Sequence, residues 1–279
     1  MTLFAGDKIV FVGAGSMAEA MIAGLLSNQI VDSRQIWVTN RSNDDRLKEL
    51  EKKYALRVSR DYAQLFQGCT VIILAMKPKD VEAGLHSIKN YVTEQQLILS
   101  VIAGVSLKFI EQALNRRIPV IRAMPNTSAA VRKSATAIAS GTYCEKEHMD
   151  RAKTFFSSIG TVAVVHSEEE LHMVTGLSGS GPAYIYYLAE ALEESAVARG
   201  LPEDIARLFV IQTFAGAAEM LQSQNQTPQQ LRLNVMSPGG TTEAGIRVLK
   251  QREFKKMVDM CIEAAVKRSQ ELEALYCKR

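Results

Sequence analysis

Lys8-Ile9-Val10-Phe11-Val12-Gly13-Ala14-Gly15-Ser16-Met17-Ala18 is the stretch that decides the fold. A short apolar run ends on a glycine-rich turn, and the turn opens a helical pattern that lasts to Ser27. Gly13, Gly15 and Ala18 spell the G-x-G-x-x-A form of a dinucleotide-binding fingerprint. Gly13 permits the tight turn, Gly15 lets the backbone approach a pyrophosphate, and Ala18 lets helix and strand pack closely. The helix start offers unpaired N–H groups and a positive dipole end to phosphate. A lone glycine pattern is weak evidence, but here it stands at the first strand–turn–helix junction, the context the motif requires. Gly13, Ala14, Gly15, Ser16, Met17 and Ala18 are therefore expected to hold a dinucleotide.

Outward from this junction the alternation repeats. Strands are predicted at Ile36–Thr39, Val71–Ala75, Leu97–Val101 and Val120–Arg122, with helical patterns at 44–53, 81–91 and 107–114 between them. Unbroken apolar strands alternating with helices indicate a parallel sheet covered on both faces. Two more strands, Ser134–Ser140 and Val162–His166, flank a helix over 145–158. Beyond Glu168 the pattern is helical only: 168–175, 182–199, 202–222, 228–234, 241–249 and 253–275. The expected architecture is an α/β Rossmann domain over 1–166, followed by an all-α domain over 167–279. The helix from Pro182 is apolar on most sides, which suits burial in an oligomer better than a monomer surface.

The bulk composition excludes several classes. Of 279 residues, 47% are hydrophobic and 23% charged, so the chain is neither disordered nor fibrous. The net charge of +3 is spread along the chain, leaving no nucleic-acid footprint. Cys69, Cys144, Cys261 and Cys277 form no metal-ligand spacing and read as reduced thiols. No apolar run is long enough to cross a bilayer, and no signal peptide is legible. A soluble cytoplasmic protein, with no metal, nucleic-acid or membrane partner, is expected.

The end of the second strand selects the cofactor. An NAD enzyme usually places a carboxylate there to hold the ribose 2′-hydroxyl. This chain has Asn40-Arg41-Ser42. Nothing in it repels a 2′-phosphate, and Arg41 can pair with one bidentately. NADPH is the expected cofactor, with NADH the weaker alternative. The competing reading is that Asn40 and Ser42 only cap the next helix while Arg41 is solvated. Three further loops stand at strand ends: Ala75-Met76-Lys77-Pro78, Ala103-Gly104, and the segment 123–127 with Asn126. Each alone is equally a turn; together on one sheet edge they are better explained as a cofactor cleft.

The hydride acceptor is narrowed by what the helical half lacks. Oxidising a hydroxy acid needs a positioned base. β-Hydroxyacid dehydrogenases share this domain arrangement and use a lysine in the second domain, yet no lysine occurs between Lys153 and Lys250. His172 is the substitute on offer. An imine asks less, because its nitrogen can already carry a proton and the task becomes one of orientation. Ser237-Pro238-Gly239-Gly240-Thr241-Thr242-Glu243 suits that task. Its glycines end one helix and the next begins at once, aiming free N–H groups and two threonine hydroxyls into the loop. From spacing alone the same segment is equally a well-capped helix–helix connection.

Asn234 to Gly245, containing that loop, resembles the signature segment of pyrroline-5-carboxylate reductases. Gly176-Leu177-Ser178-Gly179-Ser180-Gly181-Pro182-Ala183-Tyr184 resembles the start of that family's central helix. The glycine loop, Ala75–Pro78 and Met124–Thr127 follow the family's order, and the resemblance runs from Ile9 to about Glu273. It implies NADPH-dependent reduction of 1-pyrroline-5-carboxylate to L-proline. It also implies that Thr242 hydrogen-bonds the imine nitrogen, that Asn234, Gly240 and Thr241, with Ser237 beside them, hold the substrate carboxylate, and that Glu168 lies near the substrate. It implies homodimers, often assembled into decamers. Met76 stands where Val is more usual, and Thr241 where some relatives carry Ala. A reductase of another cyclic imine or a hydroxy acid, and a non-catalytic NADP-binding scaffold, are the alternatives.

Overall fold

The computed structural model describes residues 3–223 and 225–277. Its elements run β1 (Ile9–Val12), α1 (Ser16–Ser27), β2 (Ile36–Thr39), α2 (Asp44–Tyr54), β3 (Arg57–Val58), α3 (Tyr62–Phe66) and β4 (Val71–Leu74). Then come α4 (Val81–Ile88), β5 (Leu97–Ser100), α5 (Leu107–Leu114), β6 (Val120–Met124), β7 (Ser134–Ser140), α6 (Lys146–Ser157), β8 (Gly160–Val164) and α7 (Glu170–Val174). The rest is helical: α8 (Gly181–Val197), α9 (Glu203–Ser223), α10 (Pro228–Asn234), α11 (Thr241–Gln251) and α12 (Phe254–Cys277).

The eight strands form one sheet in the order β3-β2-β1-β4-β5-β6-β7-β8. Alternate strand residues feed two separate cores. Ile9, Phe11, Ile36, Val38, Val71, Ile73, Leu97 and Leu99 join Met21, Ile22 and Leu25 of α1, Leu47 and Leu50 of α2, and Phe155 and Phe156 of α6. Val10, Val12, Ile72, Leu74, Ile98 and Val120 join Leu65 of α3, Leu85 and Ile88 of α4, and Ile110 and Leu114 of α5. Burial on both faces is why these strands read as unbroken apolar runs. The sheet departs from the expected all-parallel pattern at one place: β6 and β7 are antiparallel. The loop between them, 125–133, is too short for the helical crossover that a parallel pair needs.

β3 and α3 fall between the expected elements. A strand of two residues and a helix of five are too short to show a period. The expected helix over 168–175 is also altered. It continues past α7 as a π-helical turn, Thr175–Gly179, closed by Ser180 N–H donating to Thr175 O at 2.8 Å. Thr175 and Ser178 hydroxyls donate to the carbonyls of Leu171 and Val174, a back-bonding that loosens a helix flanked by glycines.

The chain divides into two compact units, one running to Ser180 and resuming at Ala264, the other Gly181–Glu263. Within the first unit α7 buries Leu171 and His172. The end of α12 belongs to the first unit too, tied there by Arg122 and His172. In the second unit α8 buries no residue and α9 only Ala206. Ile185, Tyr186, Tyr187, Leu192, Phe209 and Ile211 are large apolar residues exposed in the single chain.

Candidate active site

The C-terminal edge of β1 and β4 is where the strand order reverses, and it carries the glycine loop. Gly13 has φ +123°, and a Cβ on it would lie 2.3 Å from the carbonyl oxygen of Ala75. The turn after β1 and the loop after β4 thus meet backbone to backbone, and only glycine fits between them. Gly15 is the N-cap of α1, extended, with no side chain capping the helix and open space where a Cβ would stand. The first N–H groups of this twelve-residue helix are therefore free for a ligand's phosphates. Ser16 is exposed, Met17 packs against the core, and Ala18 is fully buried. Ala14 is buried as well, and its carbonyl accepts from Arg46 Nε at 2.9 Å. Arg46 also pairs with Glu19 of α1, so α2 braces the loop. An uncapped helix start beside an open glycine fits a dinucleotide pyrophosphate.

At the end of β2 the helix cap is Asn43, whose side chain accepts from Arg46 N–H at 2.9 Å. Capping therefore does not account for Asn40 and Ser42, as the competing reading of this segment would have it. Asn40 instead shapes the turn, accepting from Asn43 N–H at 2.9 Å and donating to Asn43 O at 2.7 Å. Ser42 is exposed. Arg41 is not merely solvated: its Nη1 lies 2.6 Å from Asp80 Oδ1. Arg60, from the end of β3, donates to Asn40 Oδ1 at 3.1 Å and pairs with Asp44 at 2.7 Å. Sequence reading passed over Arg60 and Asp80, since neither lies in a motif and β3 is too short to place Arg60.

Beyond β4, Ala75 N–H donates to Val12 O at 3.0 Å, Lys77 is exposed, and Pro78 opens a single 3-10 turn to Asp80. The Met76 thioether lies over Gly84 of α4, where a Cβ would meet its sulfur. Pro78, Lys79, Val81 and Glu82 line one side of a groove of about 180 Å³, with Leu275 and Tyr276 of α12 on the other. After β5, Ala103 is exposed while Gly104, at φ +70°, is buried against Leu272 and Tyr276. After β6, Asn126 is buried and spent on structure. Its side chain accepts from Ser128 N–H and donates to Ser178 O at 2.9 Å. The loops after β1, β2 and β4 are thus drawn together, and those after β5 and β6 are braced by α12 and the π-helical turn.

Glu168 lies in a different setting. Its carboxylate accepts from Leu107 N–H at 2.7 Å, at the start of α5, and from Arg122 Nη1 at 2.6 Å. His172 is buried, with Nδ1 2.9 Å from Ser269 Oγ and Nε2 3.7 Å from Glu273. Both ring nitrogens face protein, which does not suit a base that must reach a substrate hydroxyl.

In the second unit the segment after α10 folds as the sequence leads one to expect. Gly239 takes φ +72°, Gly240 N–H donates to Ser237 O at 2.9 Å, and Gly240 becomes the N-cap of α11. No side chain caps α11, so the N–H groups of its first turn face outward beside the hydroxyls of Thr241 and Thr242. Glu243 turns back to accept from Gly239 N–H at 2.7 Å, which stiffens the loop. Ser237 and Thr241 are exposed and Thr242 half-buried. Asn234, the last residue of α10, donates to Gln226 Oε1 at 3.0 Å. The arrangement is a helix start without a side-chain cap, with two threonine hydroxyl groups in its first turn.

Comparison with known proteins gives the geometry its context. Residues 168–272 match a family model described as pyrroline-5-carboxylate reductase dimerisation, and residues 8–104 one described as NADP oxidoreductase coenzyme F420-dependent. The chain is 46% identical to pyrroline-5-carboxylate reductase 2 of Bacillus subtilis, over 96% of each chain. A solved pyrroline-5-carboxylate reductase from Coxiella burnetii superposes with a TM-score of 0.90 at 36% identity, covering 96% of this chain and 98% of that one. A Plasmodium falciparum pyrroline carboxylate reductase, solved with NADP bound, gives 0.84 at 27% identity, over 96% and 98%. With near-complete coverage at this identity, the chain belongs to the pyrroline-5-carboxylate reductase family.

Proposed function

We propose that the chain reduces 1-pyrroline-5-carboxylate to L-proline with NADPH, as a homodimer or a higher assembly such as a decamer. The observation that carries this reading is the uncapped start of α11, with Thr241 and Thr242 in its first turn, in a chain 46% identical to a named reductase of this substrate. The dinucleotide, when bound, supplies the hydride. The free N–H groups of α1 and the Gly13–Ala18 turn hold its pyrophosphate, and Arg41, with Asn40 and Ser42, takes the 2′-phosphate. The loops Ala75–Pro78 and Ala103-Gly104 complete the cofactor site, while Asn126 supports it by holding the loop after β6 in place. The α11 start, with Asn234, Ser237, Gly240 and Thr241, receives the substrate carboxylate, and the Thr242 hydroxyl orients the ring nitrogen. Glu168 acts at one remove, through Arg122. The exposed apolar faces of α8 and α9 are the surface that a second copy covers, in keeping with the dimerisation model matched there. Four free thiols suit a cytoplasmic setting.

The test is NADPH oxidation followed by absorbance on adding 1-pyrroline-5-carboxylate, with NADH in parallel and L-proline measured as product. Turnover with proline formation is expected, faster with NADPH at limiting cofactor. Binding of NADPH without turnover would move the reading to another cyclic imine or to a non-catalytic role.

A further inference from the structure

Arg41 is gripped by a carboxylate that no cofactor motif contains. Asp80 comes from the 3-10 turn after β4, and its Oδ1 lies 2.6 Å from Arg41 Nη1. Strands β2 and β4 flank β1, so the pair spans the edge that carries the glycine loop. Asp80 is also the N-cap of α4, a position where an aspartate normally accepts from the helix's own N–H groups, yet it makes no such bond. It forgoes the cap, and its carboxylate is given to Arg41. Asp80 is mostly covered, its side chain 26% exposed, whereas that of Arg41 is 77% exposed and open to a ligand.

We infer that Asp80 is a positioning residue that sets the balance between phosphorylated and unphosphorylated nucleotides. The inference rests on the reading of Arg41 as the contact for the 2′-phosphate. A nucleotide with a free 2′-hydroxyl leaves the Arg41–Asp80 pair intact and neutral. A 2′-phosphate must share the guanidinium with Asp80 and sit near its negative charge. Asp80 therefore weakens binding of the phosphorylated form and leaves the other untouched, which holds the chain short of exclusive NADPH use.

The experiment is calorimetric titration of the full-length protein with 2′-phospho-ADP-ribose and with ADP-ribose, neither of which can react. Asp80→Asn should bind the phosphorylated ligand about three- to fivefold more tightly, the worth of one exposed ion pair, with ADP-ribose unchanged. The gain should shrink as salt rises, since the screening length falls from about 10 Å at 0.1 M to about 3 Å at 1 M. It should shrink when Arg41→Ala is added, since only the direct repulsion between Asp80 and the phosphate is then left. Asp80→Ser, which removes the charge and suits an N-cap, should repeat the effect. No change, weaker binding, or an equal change for both ligands would overturn the inference while leaving the cofactor site standing. Failure of the unaltered protein to bind either ligand would overturn the cofactor reading and the inference with it.

Discussion

Arg122 and Glu273 meet at 2.5 Å across 151 positions of sequence, and Glu168 takes the same guanidinium nitrogen at 2.6 Å. Arg122 sits on β6 with its side chain 5% exposed, while the two carboxylates keep about a fifth of their surface. The triad anchors the end of α12 to the sheet, beside the Gly104 loop that α12 also backs. Removing the arginine would leave two part-buried carboxylates facing each other. Arg122→Met should cost about 3 kcal/mol, the low end for breaking a buried pair, read as a lower denaturant midpoint. A shift indistinguishable from zero would show that the carboxylates find water or another partner.

Glu19 makes stability pH-dependent. Its carboxyl is held down to about 2 from an ordinary 4.5, by the hydrogen bond from Lys53 first, then by Arg46 and Tyr54, against the opposing effect of burial. A folded-state pKa below the unfolded one means the network's contribution is complete above about 4.5 and is lost as pH falls toward about 2. Glu19→Gln should lower Tm by roughly 2–4 °C at neutral pH. The Tm curves of the variant and the unaltered protein should then converge across that acid window. Parallel curves would mean that Glu19 is not the group that titrates.

Gly13→Ala tests the meeting of the two loops. The added Cβ would fall 2.3 Å from Ala75 O, on a backbone with φ +123° that alanine rarely adopts. The atom it meets is a backbone carbonyl oxygen and the Cβ is fixed to the backbone of Gly13, so neither can swing aside. The expected cost is at least about 3 kcal/mol, with loss of NADPH binding in whatever protein remains folded. Binding that survives unchanged in stable protein would place the pyrophosphate elsewhere.

The sequence shows most of this fold because its signals are periodic. Strands buried on both faces announce themselves as Val71–Leu74 and Leu97–Ser100 do, and the glycine turn marks the edge where they matter. What it hides is the reach of side chains between distant segments. Asp80 lies in no motif, and only the strand order brings it to Arg41. Glu168 is one of three adjacent glutamates, and its place is decided by Arg122 and the α5 start rather than by local pattern. The antiparallel turn at β7 follows from loop length, which a scan for apolar runs does not weigh.

Thr242 carries the last prediction. It lies in the first turn of the helix whose N-cap residue is Gly240, in a loop held by the Glu243 carboxylate accepting from Gly239 N–H. Thr242→Ala keeps the helix start and its N–H groups but removes the hydroxyl. If that hydroxyl orients the substrate ring, turnover should fall about ten- to a hundredfold, because misplacing a reacting group is costly even when binding is kept. NADPH affinity should stay within about twofold, since no phosphate contact is touched. Thr242→Ser should restore most of the rate. A Thr242→Ala enzyme with full kcat and a raised KM would instead make the hydroxyl part of the carboxylate pocket. Serine rescue of kcat rather than of KM therefore separates orientation from simple binding.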